Sequence, residues 1–201
     1  MSLINLINKK SILPHPSEAL EGRDVEIEVP EKHFVKGAPL KGPFPKNLEK
    51  ALFGMGCFWG VEKKFSEVKG VTSTEVGYSQ GKNSKTSYEE VCTGVTDHVE
   101  VVLVEFEEDK VSYENLVQLF YDLHDPTTPN QQGPDRGTQY RSLLGYYDVS
   151  QKEIAETITG KLDKEKFDNK ITTTIEEVKN YCPAEEYHQK YIEKKYSFLN
   201  I

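Results

Sequence analysis

No apolar run in the sequence approaches the ~20 residues that cross a bilayer. Met1 to Pro14 alternates polar and apolar residues and lacks the apolar core and cleavage site of a secretory signal. These two absences predict a soluble, cytoplasmic protein with no membrane partner. Positive charge is also in deficit, with 25 Lys and Arg against 33 Asp and Glu, a net charge of −8. The corresponding pI of about 5.3 gives no general attraction to phosphate backbones. The Lys/Arg spacing shows no local basic patch either, so nucleic acid is not expected as a partner and a small or neutral molecule is. Cysteine is scarce: Cys57, Cys92 and Cys182 are too few and too far apart for a disulfide framework. No CxxC or paired-histidine spacing calls for zinc, and no other metal or cofactor is expected. Three cysteines in a reducing compartment turn attention from stapling to reactivity.

The 201 residues suit one domain with an appendage. Residues 1–48 hold Pro14, Pro16, Pro30, Pro39, Pro43 and Pro45, six of the ten prolines, and show little periodicity. They are expected to form a proline-rich arm in extended pieces, because each residue before a proline is pushed out of helical geometry. A single domain, expected as a monomer, should then occupy 49–201. Ala51-Leu52-Phe53 predicts a buried strand, and Val61, Phe65 and Val68 a helix after a glycine-rich turn. Val71–Tyr78 and Val99–Phe106 read as strands, and Ser112 caps a helix carrying Leu116, Val117, Phe120 and Tyr121 on one face. His124–Tyr140 is a long polar turn-rich loop of the kind that carries function. Ser142–Val149 and Ile171–Val178 read as strands around a helix opened by a Ser150–Glu153 capping box. Pro183 is placed to start a final helix through Tyr187 and Tyr191. Some strands are joined by connections too short for a crossover helix, which favours an α+β class: a two-layer sandwich of a mixed sheet with helices on one side.

Cys57 sits between a predicted strand and helix, in Gly54-Met55-Gly56-Cys57-Phe58-Trp59-Gly60. A thiol there faces the free N–H groups of a helix N-terminus, which should lower its pKa and favour the nucleophilic thiolate. The glycines let the backbone turn sharply and approach a ligand; their spacing matches neither phosphate-binding signature. Period-two alternation puts Glu100 on the same face as Val102, Val104 and Phe106. A carboxylate on an apolar face loses solvation, its pKa rises, and it becomes a general acid near neutral pH. Tyr88, Asp135 and Tyr140 fall in turn-rich segments where polar tips can line a pocket. Two other classes fit some of these residues. A thiol peptidase or acyltransferase would pair Cys57 with a histidine such as His98; a redox sensor or methionine-binding module would use the aromatics without turnover.

Several blocks together resemble one family. They are Gly56-Cys57-Phe58-Trp59-Gly60, Gly77-Tyr78, Tyr88-Glu89-Glu90-Val91-Cys92-Thr93-Gly94, His98-Val99-Glu100-Val101-Val102, His124-Asp125-Pro126-Thr127, the stretch from Gln132 to Ser142, and Ala184-Glu185-Glu186-Tyr187-His188-Gln189. Their order resembles the A-type peptide methionine sulfoxide reductases, which reduce methionine-S-sulfoxide, protein-bound or free, in the repair of oxidative damage. The resemblance implies a ferredoxin-like two-layer fold. It places Cys57 at the nucleophile and Glu100 at the acid that protonates the sulfoxide oxygen. It also implies that Phe58 and Trp59 form the S-methyl pocket and that Tyr88, Asp135 and Tyr140 hydrogen-bond around the sulfoxide. Attack would leave Cys57 as a sulfenic acid that a second thiol must reduce.

Some departures leave the catalytic groups in place: Thr96-Asp97-His98-Val99-Glu100 stands where the family has Thr-Gly-His-Ala-Glu, and Gln80-Gly81 where it has Gly-Gly. Many relatives carry resolving cysteines in a glycine-rich C-terminal tail, whereas Tyr196 to Ile201 contain none. The candidates for the second thiol are therefore Cys182, which neighbours the Ala184–Gln189 block, or an external thioredoxin, glutaredoxin or glutathione. Cys92, in what reads as a buried strand, is expected to be structural.

Overall fold

The computed structural model describes residues 12–15, 17–20, 25, 48–82 and 85–197. Most of the arm expected over 1–48 lies outside the described residues. Of the part that is described, Ala19 is buried and the Leu20 N–H donates to the Val95 carbonyl at 3.1 Å.

Among the described residues, eight strands and five α-helices follow in chain order: β1 (Leu48–Met55), α1 (Phe58–Ser66), β2 (Val71–Ser79), α2 (Tyr88–Cys92), β3 (Val99–Glu107), α3 (Tyr113–Leu123), β4 (Gln131–Gln132), β5 (Asp135–Arg136), β6 (Ser142–Tyr146), α4 (Val149–Glu165), β7 (Thr174–Glu177), β8 (Cys182–Pro183) and α5 (Tyr191–Ser197). Six strands form one sheet in the order β7-β6-β1-β3-β2-β8, and β4 and β5 pair separately. Every pairing in the large sheet is antiparallel except β6 with β7, which α4 connects. That is the mixed α+β sandwich expected.

The main core lies on one face of the sheet, where Phe53, Val76, Val102, Val104 and Phe106 meet Phe65 of α1, Leu116, Val117 and Phe120 of α3, and Ala155 of α4. Phe53 stacks on Phe65 with ring centroids 4.5 Å apart. The opposite face buries Leu52, Val99, Val101 and Leu143 beneath Leu103, Val178 and Tyr181, none of them helical. β3 alternates between the two cores, which is why period two placed Glu100 on the helical side.

Local chemistry moves several boundaries. α4 is capped by Asp148, whose carboxylate accepts from the Gln151 N–H at 2.9 Å, so Ser150 lies in the first turn and β6 stops at Tyr146. β7 shrinks to Thr174–Glu177. Pro183 starts no helix: with Cys182 it forms a two-residue edge strand against Gly77 and Tyr78. A short 3-10 turn at Glu186–His188 follows, and α5 begins at Tyr191. Gly77 makes the edge pairing possible, since a Cβ there would lie 2.6 Å from the Cys182 carbonyl. The long loop is ordered by the β4–β5 hairpin and by Gln132, whose amide joins the Asp125 N–H and C=O at 3.2 and 2.9 Å. His124 anchors its start between the Phe120 carbonyl and Ser142, each at 2.7 Å.

Phe65 is fully buried in the face-to-face stack with Phe53. Phe65→Ala is expected to cost about 3–5 kcal/mol, read as a drop in the urea midpoint with unchanged slope.

Candidate active site

Cys57 occupies the N-cap position of α1, at the end of β1, with a half-exposed thiol. Gly56 reaches this turn with φ +83°, a left-handed conformation that favours glycine. A Cβ on it would also lie 2.5 Å from Gln132 Cβ, so the β4–β5 hairpin closes directly onto the turn. Gly60 has open space around it and answers to no such approach.

The thiol is not acidified as its place on the helix suggested. Burial pushes Cys57 up to about 11; the Trp59 backbone N–H pulls in the opposite direction, and Glu100 and Asp135 add to the rise. Desolvation and two carboxylates outweigh one helix-terminal N–H. At neutral pH Cys57 therefore rests as a protonated thiol.

Glu100 lies beneath it on β3, 1% exposed. Its Oε2 accepts from the backbone N–H of Phe58, the residue after the cysteine, at 3.2 Å. Burial pushes this carboxyl up to about 8, against the pull of the Phe58 N–H and with a further rise from Asp135. Glu100 thus holds its proton at neutral pH beside the Cys57 thiol.

Trp59 and Phe58 enter an aromatic cluster built largely by residues 184–191. Trp59 Nε1 donates to His188 Nδ1 at 3.0 Å, and its ring stacks on Tyr191 with centroids 4.1 Å apart. Phe58 packs against His188 and Tyr78 at 5.3 and 5.8 Å, and Tyr88 against His188 at 4.5 Å. Glu185 joins two elements: one oxygen accepts from the Tyr78 hydroxyl at 3.0 Å, the other from the Tyr88 N–H at 2.9 Å. Sequence reasoning found the Ala184–Gln189 block through its resemblance alone and gave no role to His188, Glu185 or Tyr191. The signal was an aromatic and histidine run beside an acidic pair, which resembles any exposed helix until the fold closes it over α1.

Tyr88 and Tyr140 are half-buried and face the same centre. Burial raises the Tyr88 phenol, followed by a hydrogen bond with Cys92 and by the charges of Cys92, Glu100 and Cys57. Burial raises Tyr140 as well, with Glu100, Cys92, Tyr88 and Asp135 adding to it. Both phenols therefore remain donors across the working pH range. Asp135, on β5, acts on Cys57, Glu100 and Tyr140, which places it in the same cluster.

Cys92 ends α2 one helical turn after Tyr88, half-exposed, and is not the buried strand residue expected. Cys182 is buried on the sheet edge with its thiol toward the Thr86 carbonyl at 3.7 Å. It pairs with Tyr78, which pairs with Glu100, so two strand spacings, about 10 Å, separate the backbones of Cys182 and Glu100. His98 is buried with its ring directly over Gly81.

Burial lowers the His188 pKa below the ordinary histidine value, opposed by Glu185, so the ring is neutral and its Nδ1 can accept from Trp59. Acid protonates that nitrogen and removes the acceptor. Trp59 is the chain's single tryptophan. Its fluorescence is expected to change in one acid transition centred below pH ~6.5, ahead of unfolding, and His188→Gln is expected to abolish it.

The family model described as peptide methionine sulfoxide reductase matches residues 49–200. The peptide methionine sulfoxide reductase MsrA 1 of Synechocystis sp. is 46% identical over 96% of this chain and 89% of its own. Methionine sulfoxide reductase A of Corynebacterium diphtheriae superposes with TM-score 0.81 at 35% identity, over 91% of each chain. Mxr1 of Saccharomyces cerevisiae in its reduced form gives TM-score 0.72 at 38% identity, over 75% of this chain and 87% of its own; Mxr1 has also been solved in complex with Trx2. A family model over residues 49–200 and a relative 46% identical over 96% of the chain, on the same fold, lead to one assignment: the chain belongs to the peptide methionine sulfoxide reductase family.

Proposed function

We propose that this chain, over residues 49–201, reduces methionine-S-sulfoxide to methionine in the repair of oxidised proteins, with Cys57 as nucleophile and Glu100 as acid. The observation that carries the reading is the protonated Glu100 carboxyl held by the N–H of the residue after Cys57. A sulfoxide oxygen is a poor leaving group until protonated. Cys57 sulfur attacks the sulfoxide sulfur while Glu100 gives its proton to the oxygen, and the thiol proton then restores Glu100. Methionine leaves and Cys57 carries the hydroxyl as a sulfenic acid, so atoms and charge balance. Tyr88, Asp135 and Tyr140 hydrogen-bond around the sulfoxide, the two phenols, kept protonated, as donors to its oxygen. Phe58 and Trp59 wall the pocket for the S-methyl group. One fixed acid and one fixed methyl pocket select a single epimer of a chiral sulfoxide.

A second thiol condenses with the Cys57 sulfenic acid to a disulfide with loss of water, and a further thiol exchanges with that disulfide to release Cys57 reduced. An external dithiol of the thioredoxin type is favoured, in keeping with the Mxr1 complex and with the burial of Cys182; glutaredoxin and glutathione offer the same chemistry. Resolution by Cys182 would require the β8 edge strand to detach from β2. Such reductants are held in the cytoplasm, the compartment proposed here, and no helix among the described residues is long and apolar enough to cross a membrane.

Single-turnover formation of methionine from one equivalent of methionine-S-sulfoxide tests the acid role. Glu100→Gln is expected to slow that step by on the order of 10²–10⁴-fold, and a near-normal rate would refute the assignment. In the parent chain the step is expected to hold through neutral pH and decline above about 8, as Glu100 loses its proton. Mass spectrometry with thiol counting then separates the reductants: a trappable sulfenic acid on Cys57 indicates the external thiol, and a Cys57–Cys182 disulfide indicates internal resolution.

A further inference from the structure

Glu62 and Lys190 form an ion pair, Nζ to Oε1 2.8 Å, with side chains only 1% and 2% exposed. Neither residue touches the reacting groups. Glu62 lies on α1 three residues after Trp59, one turn along the same face. Its second oxygen accepts from the Lys190 backbone N–H at 2.8 Å, and Lys190 Nζ also donates to Thr74 of β2. Lys190 adopts φ 54°, a left-handed conformation unusual for a side-chain-bearing residue, at the junction between the 3-10 turn and α5.

The preceding residue is locked just as firmly. Gln189 presents its amide to β2 as a strand would present its backbone: Oε1 accepts from Val76 N–H at 3.0 Å, and Nε2 donates to the Val76 carbonyl at 2.8 Å. Gln189 Nε2 also donates to the Ala184 carbonyl at 2.9 Å, which closes the turn on itself. Within this closed turn lie Glu185, which holds Tyr78 and Tyr88, and His188, which holds the Trp59 indole.

We infer that the Glu62–Lys190 pair is a positioning clamp: it bolts the 184–190 turn to α1 and so sets His188 where it orients Trp59, the wall of the methyl pocket. This rests on the proposed role of Trp59 and extends it to two residues outside the reaction. A charge pair in the interior gains little over an apolar pair of the same volume, so stability alone does not explain its use. Directionality does, because both oxygens of one carboxylate fix both a side chain and a backbone N–H of the same residue.

The test uses Lys190→Met, Glu62→Gln and the double variant Glu62→Leu/Lys190→Met, which leaves no unpaired charge. Circular dichroism identifies the variants that fold, and measurements are made well below their melting temperatures. In folded Lys190→Met and in the double variant, Trp59 emission is expected to shift to the red and acrylamide quenching to rise at least twofold. The KM for methionine sulfoxide is expected to rise about tenfold while kcat stays within about threefold. Glu62→Gln, which keeps an acceptor for the Lys190 N–H, is expected to retain most of the parent emission. Folded variants with parental emission, quenching and KM overturn the inference, leaving the pair a stabilising contact only. Failure of the double variant to fold overturns it too, because the pair would then be a requirement of the fold. The fluorescence readout does not depend on turnover: a shifted Trp59 signature in a chain without reductase activity would sink the catalytic reading and leave the clamp standing.

Discussion

The acid role proposed for Glu100 requires a carboxyl kept out of water beneath a cysteine without being given a cation. A carboxyl with an arginine or lysine partner would ionise and could not deliver a proton at neutral pH; one left in solvent would ionise as well. The chain resolves this by placing Glu100 on the helical face of a central strand, with the Phe58 N–H as its fixed donor. Everything around it follows from that placement. Tyr78 flanks it in the neighbouring strand, Tyr88 and Tyr140 bring neutral donors, and the positive charge of Lys190 is spent on Glu62.

The same demand explains a thiol that rests protonated. Two carboxyls and an enclosed setting oppose the thiolate more strongly than the helix terminus favours it. A fully ionised Cys57 would gain reactivity towards any oxidant, whereas in the proposed mechanism the thiol loses its proton only as the sulfoxide oxygen gains one, which matches it to a single reaction. The proton count of the cluster is then the same before and after methionine leaves.

Much of this was legible in the residues. The alternation of Val99 to Phe106 gave the face of Glu100, and Ser112 and the apolar spacing after it gave α3. Where reading failed, a longer-range partner had overridden a local signal. Asp148 outcompeted Ser150 as the cap of α4 because its carboxylate reaches the Gln151 N–H. Pro183 was drawn into an edge strand by the space above Gly77. The thiol pKa differs from the local reading because the helix-terminal N–H groups lie beside Cys57 in sequence, whereas Glu100 and Asp135, which raise it along with burial, come from distant segments. The burial of Glu62 has no local signal, since its partner lies 128 positions away.

The turn that completes the site also finishes the sheet. β2 would otherwise offer a nine-residue edge with unpaired N–H and C=O groups, an open template for strands of other molecules. β8 covers Gly77 and Tyr78, and at Val76, where the backbone strand has already turned away, the Gln189 amide and the Ala184 N–H fill the next rung. A side chain imitating a peptide unit extends the barrier against intermolecular pairing one residue beyond the strand itself. Protection from aggregation and assembly of the aromatic wall are thus carried by one stretch of chain, so damage there would compromise solubility and catalysis together.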